Sequence, residues 1–369
     1  MKNMTKEGKI GFQEALWLLV ITTSTKLFFS SPTMAVKLVG TAEWYMTLVS
    51  AVVAAVGFIF IYLLLKRYPE NNIMEIYNDV FGRFLGFILS FLLAAVLLIE
   101  AAVGIREFAE VQKVYVFPKT PITFIIGAFV AVAVILSFLG LEAVARYTKL
   151  VAFSLILAFV IIIILAFQHY QLHRLFPIYG YGLGKTIYHG AMRSSAYGEV
   201  IIVAIIAKSL HGAKEIKKLG FTSLLISEVL VLVAYLAFLL TFSYFFGREL
   251  TAPMYVMSSL INYGVFFQRT ESIFLFIWNL TSLISGSVLL YMVLIVYCHM
   301  FRIKDKKPLI FPFAIILFSL SMIPRGIMDV ISIYRQDLMQ YGWIVFYIPP
   351  LIALITAIIR KKKGVVKSV

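Results

Sequence analysis

Polar residues interrupt two segments of the chain that are otherwise apolar enough to cross a membrane. One stretch, 190–199, contains the cation Arg193 and the carboxylate Glu199 and leads directly into the apolar residues 200–207. The other, 22–26, holds four hydroxyl side chains and a lysine. Backbone within a bilayer must find its hydrogen bonds inside the protein, so such breaks are tolerated where they face protein or line a cavity. We therefore predict one binding site, lined by Thr22, Thr23, Ser24, Thr25, Lys26, Leu27, Ser194, Ser195, Ala196, Tyr197, Gly198 and Glu199.

The chemistry at the first break suits a small zwitterion. We expect Leu27 to begin a second half-helix ahead of Pro32, and the positive end of that half-helix, together with Lys26, favours a carboxylate. Carbonyl groups at the end of the first half-helix can accept hydrogen bonds from an ammonium. The alternative is that the hydroxyls bond back to their own helix and that Pro32 only kinks it. Lys26 itself can serve the site, pair with a carboxylate or extend toward the membrane surface.

At the second break we expect Glu199 to supply most of the chemistry. It lies at the start of the inner half-helix, where the helix dipole stabilises a negative charge. Its carboxylate can bind a substrate ammonium, hold a proton or pair with Lys26. The alternative is a structural ion pair or a capping carboxylate. Arg193 is expected nearer the outer mouth.

Further polar residues recur at helical spacing in two other apolar segments. Glu100, Gly104 and Glu107 share one helix face, and buried carboxylates usually face the interior of a helix bundle. Asn279 and Ser282 form a second stripe, which either lines a pathway or packs against another helix. These five residues are candidates for lining a pathway, and for Asn279 and Ser282 helix packing is the favoured interpretation. Arg106 and Glu110 have the spacing of an ordinary ion pair.

Other kinds of chemistry are not indicated. The five histidines show no metal-ligand spacing, and the single cysteine, Cys298, lies in an apolar run. The chain has neither a Gly-rich Lys loop for phosphate nor an HExxH motif. We therefore predict no metal site, no cofactor and no enzymatic activity.

The elements that must position these residues are membrane helices. The chain has 369 residues, of which 62% are apolar and 14% charged, a composition far from that of soluble domains. The excess of 33 Lys and Arg over 18 Asp and Glu lies in short loops, which indicates topology rather than nucleic-acid binding. The expected surroundings are membrane lipid, and no nucleic acid is expected as a partner.

Apolar stretches near the roughly 20 residues that a membrane helix needs predict an all-α integral membrane protein with ten spans. Residues 1–369 would form a single transmembrane domain, with a first repeat at about 11–167, a second at about 186–359 and a basic tail at 360–369. The ten spans, numbered in chain order, are 11–36, 43–65, 84–112, 121–140, 147–167, 186–208, 219–246, 271–300, 309–324 and 341–359.

Charge and symmetry set the expected topology. If the N-terminus is inside, the inner segments hold 21 Lys and Arg and the outer ones 9, Arg335 among them, so both termini are predicted to be cytoplasmic. Five spans per half invert the second half relative to the first, as in inverted-repeat transporters, and make the broken spans 1 and 6 equivalent. Between spans 2 and 3, Ile73, Ile76, Tyr77 and Val80 predict a short amphipathic helix on the inner surface.

Short motifs occur along the whole chain at 27–32, 67–69, Glu75, 82–86, 117–121, 140–146, 175–177, 197–199, 269–271, Trp278 and 304–312. In their order and spacing they resemble one family, the endospore germination transporter-like proteins, which are the B subunits of nutrient germinant receptors within the amino acid, polyamine and organocation transporter superfamily. One departure concerns span 1, where the superfamily tends to have a Gly-containing turn and this chain has Thr25, Lys26 and Leu27. Lys26 would thus fill the space that a cation or substrate group takes in relatives.

The resemblance implies a ten-span inverted repeat with discontinuous first and sixth helices. It implies a role in sensing a small nutrient, often an amino acid, in the spore inner membrane, with the receptor A subunit and the lipoprotein C subunit as partners. Two alternatives stay open. One is an amino-acid permease coupled to protons or sodium, and the other is a membrane scaffold or a conduit for ions or water within the receptor complex.

Overall fold

The computed structural model describes residues 8–264 and 270–364, and every regular element in those residues is helical. Within these residues, six short 3₁₀ segments and one π-helical turn at 330–335 join or interrupt the α-helices; the 3₁₀ segments are 25–28, 40–42, 166–169, 172–175, 193–201 and 207–209. The α-helices are α1 Phe12–Ser24, α2 Ser31–Val39, α3 Glu43–Arg67, α4 Ile73–Phe81, α5 Arg83–Tyr115, α6 Ile122–Leu139, α7 Leu141–Leu165, α8 Leu183–Met192, α9 Ile202–Ile205, α10 Ala213–Thr241, α11 Tyr244–Gly247, α12 Pro253–Ser259, α13 Thr270–Phe301, α14 Lys307–Met322, α15 Ile327–Asp329 and α16 Gln336–Ile359.

Seven helical stretches in the described residues are long and apolar enough to cross a membrane. Helix α14 is apolar but shorter, and the two broken spans consist of α1 with α2 and of α8 with α9, of which only α2 belongs to one of the seven stretches. Ten spans therefore stay a prediction, whereas the all-helical membrane class is confirmed. The seven stretches are Ser31–Arg67, Arg83–Tyr115, Ile122–Leu139, Leu141–His169, Ala213–Thr241, Thr270–Phe301 and Ile327–Ile359.

Span 1 is discontinuous, but its break lies later than the sequence suggests. Helix α1 continues to Ser24, a 3₁₀ segment follows, and the chain becomes extended at Phe29 (φ −90°, ψ −157°). The expectation that Leu27 begins the second half-helix is wrong, because α2 starts at Ser31. The reason is Pro32, whose fixed φ and missing N–H suit the first turn of a helix.

Span 6 is discontinuous as well. After α8 the chain tightens into a nine-residue 3₁₀ segment, Arg193–Ile201, and Tyr197 leaves helical geometry (φ −111°, ψ 16°). The segment continues into the short helix α9. Nearly all of the segment is buried, so its irregular backbone is surrounded by protein, as a membrane environment requires.

The broken spans lie at the centre of the bundle. Helix α1 is apolar on all sides and packs against α7, α10 and α13, as expected of a helix enclosed by other helices. The 193–201 segment packs against α3 and α16. Many large apolar side chains on the outer helices are exposed, including Phe124 and Phe153 at 71% and 75%, and these faces suit contact with lipid.

Short helices occupy matching places in the two halves. Helix α4 lies between spans 2 and 3, while α11 and α12 lie between spans 7 and 8. The predicted amphipathic helix is confirmed by α4, which buries Ile73, Ile76, Tyr77 and Val80 and begins at an Asn72–Glu75 capping box. This correspondence accompanies the two breaks and agrees with an inverted repeat.

The tenth span begins earlier than predicted, and one charge is misplaced as a result. Ile327–Ile359 forms one helical stretch that contains the π-helical turn at 330–335. Arg335 ends that turn and is only 2% exposed, so its assignment to an outer loop is wrong. Charge counting failed here because Arg335 is held by a buried carboxylate on a different span, as described next.

Candidate functional site

Lys26 joins the two breaks. It lies in the 3₁₀ segment that follows α1, and its Nζ is 2.6 Å from Glu199 Oε1 at the second break. The same Nζ is 2.8 Å from Glu100 Oε1 on α5 and donates a hydrogen bond to the Ala196 carbonyl at 3.2 Å. One ammonium thus connects spans 1, 3 and 6.

The three charged groups are buried together. Lys26, Glu100 and Glu199 are 8%, 7% and 0% exposed, and buried charges persist only when they are paired. With all three ionised, the cluster has a formal charge of −1. Within the described part of the chain the Oε2 atoms of Glu100 and Glu199 have no hydrogen-bond partner, so each carboxylate can still accept a hydrogen bond.

The hydroxyls of the first break mostly bond within their own helix. Thr22, Ser24 and Thr25 donate to the carbonyls four residues earlier at 2.7, 2.6 and 2.6 Å, which is the alternative that the sequence left open. Thr25 also contacts the Thr281 carbonyl at 3.4 Å. Thr23 lines a cavity. The side chain of Leu27 lies outside the described part of the chain.

The positive end of α2 already faces a carboxylate. Glu107 Oε1 accepts hydrogen bonds from the backbone N–H and the hydroxyl of Ser30 at 2.9 and 2.6 Å. Glu107 Oε2 lies 2.8 Å from both Nε and Nη2 of Arg335, whose guanidinium stacks over the Phe29 ring. A carboxylate at a helix N-terminus is favourable, so Glu107 occupies the position that we expected for a ligand carboxylate.

Span 10 supports the second break. The Tyr347 hydroxyl donates to the Ser194 carbonyl at 3.2 Å, and the Ser195 hydroxyl donates to the Met339 carbonyl. Gly198 lies directly on the Phe346 ring, which leaves no room for a Cβ atom at position 198. A glycine is therefore needed for the backbone of the break to approach span 10 this closely.

Two small cavities flank Lys26. The first is bounded by α5, the second break and span 10, and the second by spans 1, 2, 6, 7 and 10. The first cavity has a volume of ≈ 10 Å³ and the second ≈ 30 Å³. This is enough for about one water molecule in the first and about two or three in the second. The first is lined by Lys26, Val96, Glu100, Ser195, Arg335, Leu338, Met339 and Phe346, and the second by Thr23, Lys26, Ser31, Met46, Thr47, Ser50, Arg193, Ala196, Tyr197, Val231, Tyr235 and Met339.

The predicted pathway residues fall into two groups. Glu100 and Glu107 join the buried charge clusters, and Gly104 lies beside Arg335, whose Nη2 would be 3.8 Å from a Cβ at position 104. Asn279 instead donates to the Leu275 carbonyl of its own helix at 2.7 Å. Ser282 is buried, and its hydroxyl has no hydrogen-bond partner among the described residues.

Glu228 is a further candidate that the sequence analysis did not include. Glu228 on α10 accepts hydrogen bonds from the Tyr197 hydroxyl and from Thr47, the latter at 2.9 Å. Both donors line the second cavity. The signal was present, because an ionisable residue within an apolar span is a functional candidate by default.

Comparison with known sequences gives a consistent set of relatives. A family profile described as spore germination protein matches residues 10–330. Spore germination protein KB of Bacillus subtilis is 22% identical over 326 residues, which cover 86% of this chain and 85% of the relative. Spore germination protein B2 of the same species is 21% identical, with 97% and 98% covered. GerQB of Bacillus cereus is 23% identical, with 89% and 91% covered.

Solved structures with a similar fold are transporters. Mhp1, a nucleobase-cation-symport-1 family transporter in a closed conformation with bromovinylhydantoin bound, superposes with a TM-score of 0.65 at 14% identity, covering 93% of this chain and 79% of that one. A mutant of a manganese transporter of Eremococcus coleocola gives 0.60 at 12% identity, covering 96% and 79%. At such identities the likeness concerns the fold alone, and it confirms the predicted fold class.

Proposed function

Because the chain belongs to the spore germination protein family, we propose that it is the transporter-like membrane subunit of a spore nutrient germinant receptor. It binds a small nutrient, an amino acid, between spans 1 and 6 and signals germination. Its partners are the receptor A and C subunits, and its location is the spore inner membrane with both termini cytoplasmic.

The buried cluster of Lys26, Glu100 and Glu199 is the observation that supports this proposal most directly. It lies where two broken spans meet, and it has one negative charge more than positive charges. The free Oε2 atoms of the two glutamates are suited to a ligand ammonium. Charged groups in a membrane are costly and usually mark a ligand or ion pathway.

The small size of both cavities supports a mechanism in which binding changes the conformation. Space for a few water molecules does not admit an amino acid, so a ligand must separate the breaks from span 10. A ligand shifts a conformational equilibrium only by its difference in affinity for the two states. Such a shift, read by partner subunits, is how nutrient binding becomes a germination signal.

An amino-acid permease is the alternative that the fold favours, since the structural relatives are transporters. Lys26 already supplies a cation to Glu100 and Glu199, which argues against a sodium ion at this cluster. A non-binding scaffold, or a conduit for ions or water, is the third possibility. Receptor, permease and scaffold differ in binding, uptake and assembly, which can be measured separately.

The deciding experiment uses the full-length protein in lipid vesicles. Equilibrium binding of each of the twenty radiolabelled amino acids is measured, and uptake is followed with and without proton and sodium gradients. The same protein, expressed with its A and C subunits, is then purified from membranes. Binding of one or a few amino acids without uptake, together with co-purification, is the expected result. Accumulation inside the vesicles would establish the permease instead, and intact protein that neither binds nor transports would leave the scaffold.

A further inference from the structure

Arg193 is a buried cation that has no carboxylate partner among the residues the structure describes. It is 4% exposed and lies where α8 gives way to the 3₁₀ segment of the second break. The two other arginines that are buried in the described spans each contact a glutamate, Arg106 with Glu110 at 2.8 Å and Arg335 with Glu107 at 2.8 Å. In the described residues no carboxylate lies within 4.0 Å of the Arg193 guanidinium nitrogens.

The hydrogen bonding of Arg193 is correspondingly poor. A guanidinium has five N–H donors, yet its one hydrogen bond among the described residues is from Nη2 to the Met339 sulfur at 2.7 Å. A thioether is a weak acceptor. A buried charged group whose N–H donors lack acceptors raises the free energy of the folded protein. A strong acceptor that binds these donors therefore lowers it substantially.

Arg193 borders a small cavity that would have to widen to admit a ligand. It lines the larger of the two cavities beside Lys26, together with Tyr197 and Tyr235. Two charged groups near it, Lys26 and Arg335, cannot form an ion pair with Arg193, because both are cations. Each is already paired with a glutamate. Glu43 on α3 is near enough to act on Arg193 electrostatically, but not to form an ion pair.

We propose that Arg193 binds the carboxylate of the nutrient. The guanidinium takes the carboxylate with two parallel N–H···O bonds, which are stronger than its present contact with sulfur. The Met339 side chain, flexible and weakly held, moves aside to admit the ligand. This inference rests on the proposed function and assigns the anionic end of the ligand to a residue that sequence reasoning placed at the outer mouth.

The arrangement selects a zwitterion. Lys26 and Met339 line both cavities, so displacement of Met339 joins the Arg193 cavity to the one that contains Glu100. A ligand in the joined space meets the guanidinium at one end and the carboxylate of Glu100 at the other. Small α-amino acids have both groups, whereas their amides and the corresponding amines lack the carboxylate.

The test begins with the wild-type, full-length protein in detergent. Its melting temperature is measured against a concentration series of each of the twenty amino acids. The amino acid giving the largest increase is then compared with its C-terminal amide and its decarboxylated amine. We expect the amide and the amine to bind at least about tenfold more weakly than the amino acid, since they cannot form the charge-assisted pair. Equal binding of the amide would overturn the assignment of the carboxylate to Arg193 while leaving nutrient binding in place.

Variants identify the residue. Arg193→Gln is expected to bind the amino acid at least about tenfold more weakly, and Arg193→Lys to bind with intermediate affinity, because lysine keeps the charge but loses the bidentate geometry. Arg106→Lys is the matched control, a buried arginine already paired with Glu110, and should bind within about twofold of the wild type. Wild-type affinity in Arg193→Lys and Arg193→Gln would overturn the inference. A wild-type protein that binds none of the twenty would overturn both the inference and the proposed function.

Discussion

At the residue scale, the ammonium group of Lys26 holds the two breaks together. Lys26 Nζ contacts two carboxylates and a carbonyl in a place where all three side chains are buried. Two neighbouring carboxylates without a cation would repel each other and would be poorly solvated. Lys26 therefore holds Glu100 and Glu199 together in one buried cluster, and it fixes the distance between the two breaks.

Replacing Lys26 with methionine should destabilise the protein by about 3 to 5 kcal/mol, the usual cost of removing one partner from a buried pair. The melting temperature in detergent would fall accordingly. Combining Lys26→Met with Glu199→Gln should recover part of the loss, because one of the unpaired carboxylates is then neutral.

Lys149→Met serves as the control for this change. Lys149 contacts Glu14 at 3.7 Å, and its side chain is 48% exposed, so we expect a loss below about 1 kcal/mol. A Lys26→Met protein that melts like the wild type would show that the buried cluster does not stabilise the meeting of the breaks.

The sequence pointed to the individual charged residues of the cluster, but it did not show which of them form ion pairs with each other. Lys26, Glu100 and Glu199 are noticeable because ionisable side chains are rare in apolar segments. Glu100 pairs with Lys26 because of the axial position of α5 relative to span 1. No local sequence pattern encodes that position. Arg335 was assigned to an outer loop for the same reason, since its partner Glu107 lies 228 positions away in the chain.

At the element scale, the contact between the second break and span 10 positions Glu199. Gly198 lies against Phe346 so closely that a Cβ atom would overlap the ring. The overlap involves the whole ring rather than the tip of a flexible chain, so relief requires movement of α16 or of the break.

Gly198→Ala should therefore cost about 1 to 3 kcal/mol, the range for overpacking a well-packed core. Adding Phe346→Leu removes the ring and should restore part of the stability. Thermal unfolding of both variants in detergent tests this contact. Gly184→Ala is the matched control on exposed α8, with no atom within 4 Å of the new Cβ, and should change stability by less than about 1 kcal/mol. Equal melting temperatures for Gly198→Ala and Gly184→Ala would rule out the tight contact.

The presence of the helices could be predicted from the sequence more accurately than the residues at which they begin and end. Long apolar runs and the capping residues of α4 were sufficient to locate most helices. The first break was placed too early because polar residues were taken as its marker. The hydroxyls of Thr22, Ser24 and Thr25 bond within the helix, and the backbone leaves helical geometry only at Phe29.

At the scale of the whole molecule, the proposed orientation follows from the distribution of Lys and Arg. With both termini cytoplasmic, α12 lies outside and the residues after α16 lie inside. Moving Arg335 from the outer segments to the buried interior strengthens this bias, because one fewer cation remains outside.

This orientation can be tested by labelling with a membrane-impermeant maleimide in intact cells. In a Cys298→Ser background, Ser259→Cys should react from outside, because residue 259 is exposed at the end of α12. Lys361→Cys should react only after the membrane is permeabilised. If residue 361 reacted in intact cells and residue 259 only after permeabilisation, the topology would be the inverse of the proposed one. The half-helices assigned to the inner side would then lie on the outer side.

The nutrient dose dependence of germination decides whether a nutrient binds where the two breaks meet, which is the claim on which the proposed function depends. Spores producing Glu199→Gln are compared with spores producing wild type and Glu142→Gln, whose carboxylate forms an exposed surface pair with Arg146, at equal protein levels in the spore membrane. Glutamine keeps the size of residue 199 and can accept from Lys26, but it removes the negative charge that a ligand ammonium needs. We predict that half-maximal germination requires at least about tenfold more nutrient for Glu199→Gln, the equivalent of one lost charged contact, with no change for Glu142→Gln. Identical dose dependence in all three strains would contradict the claim.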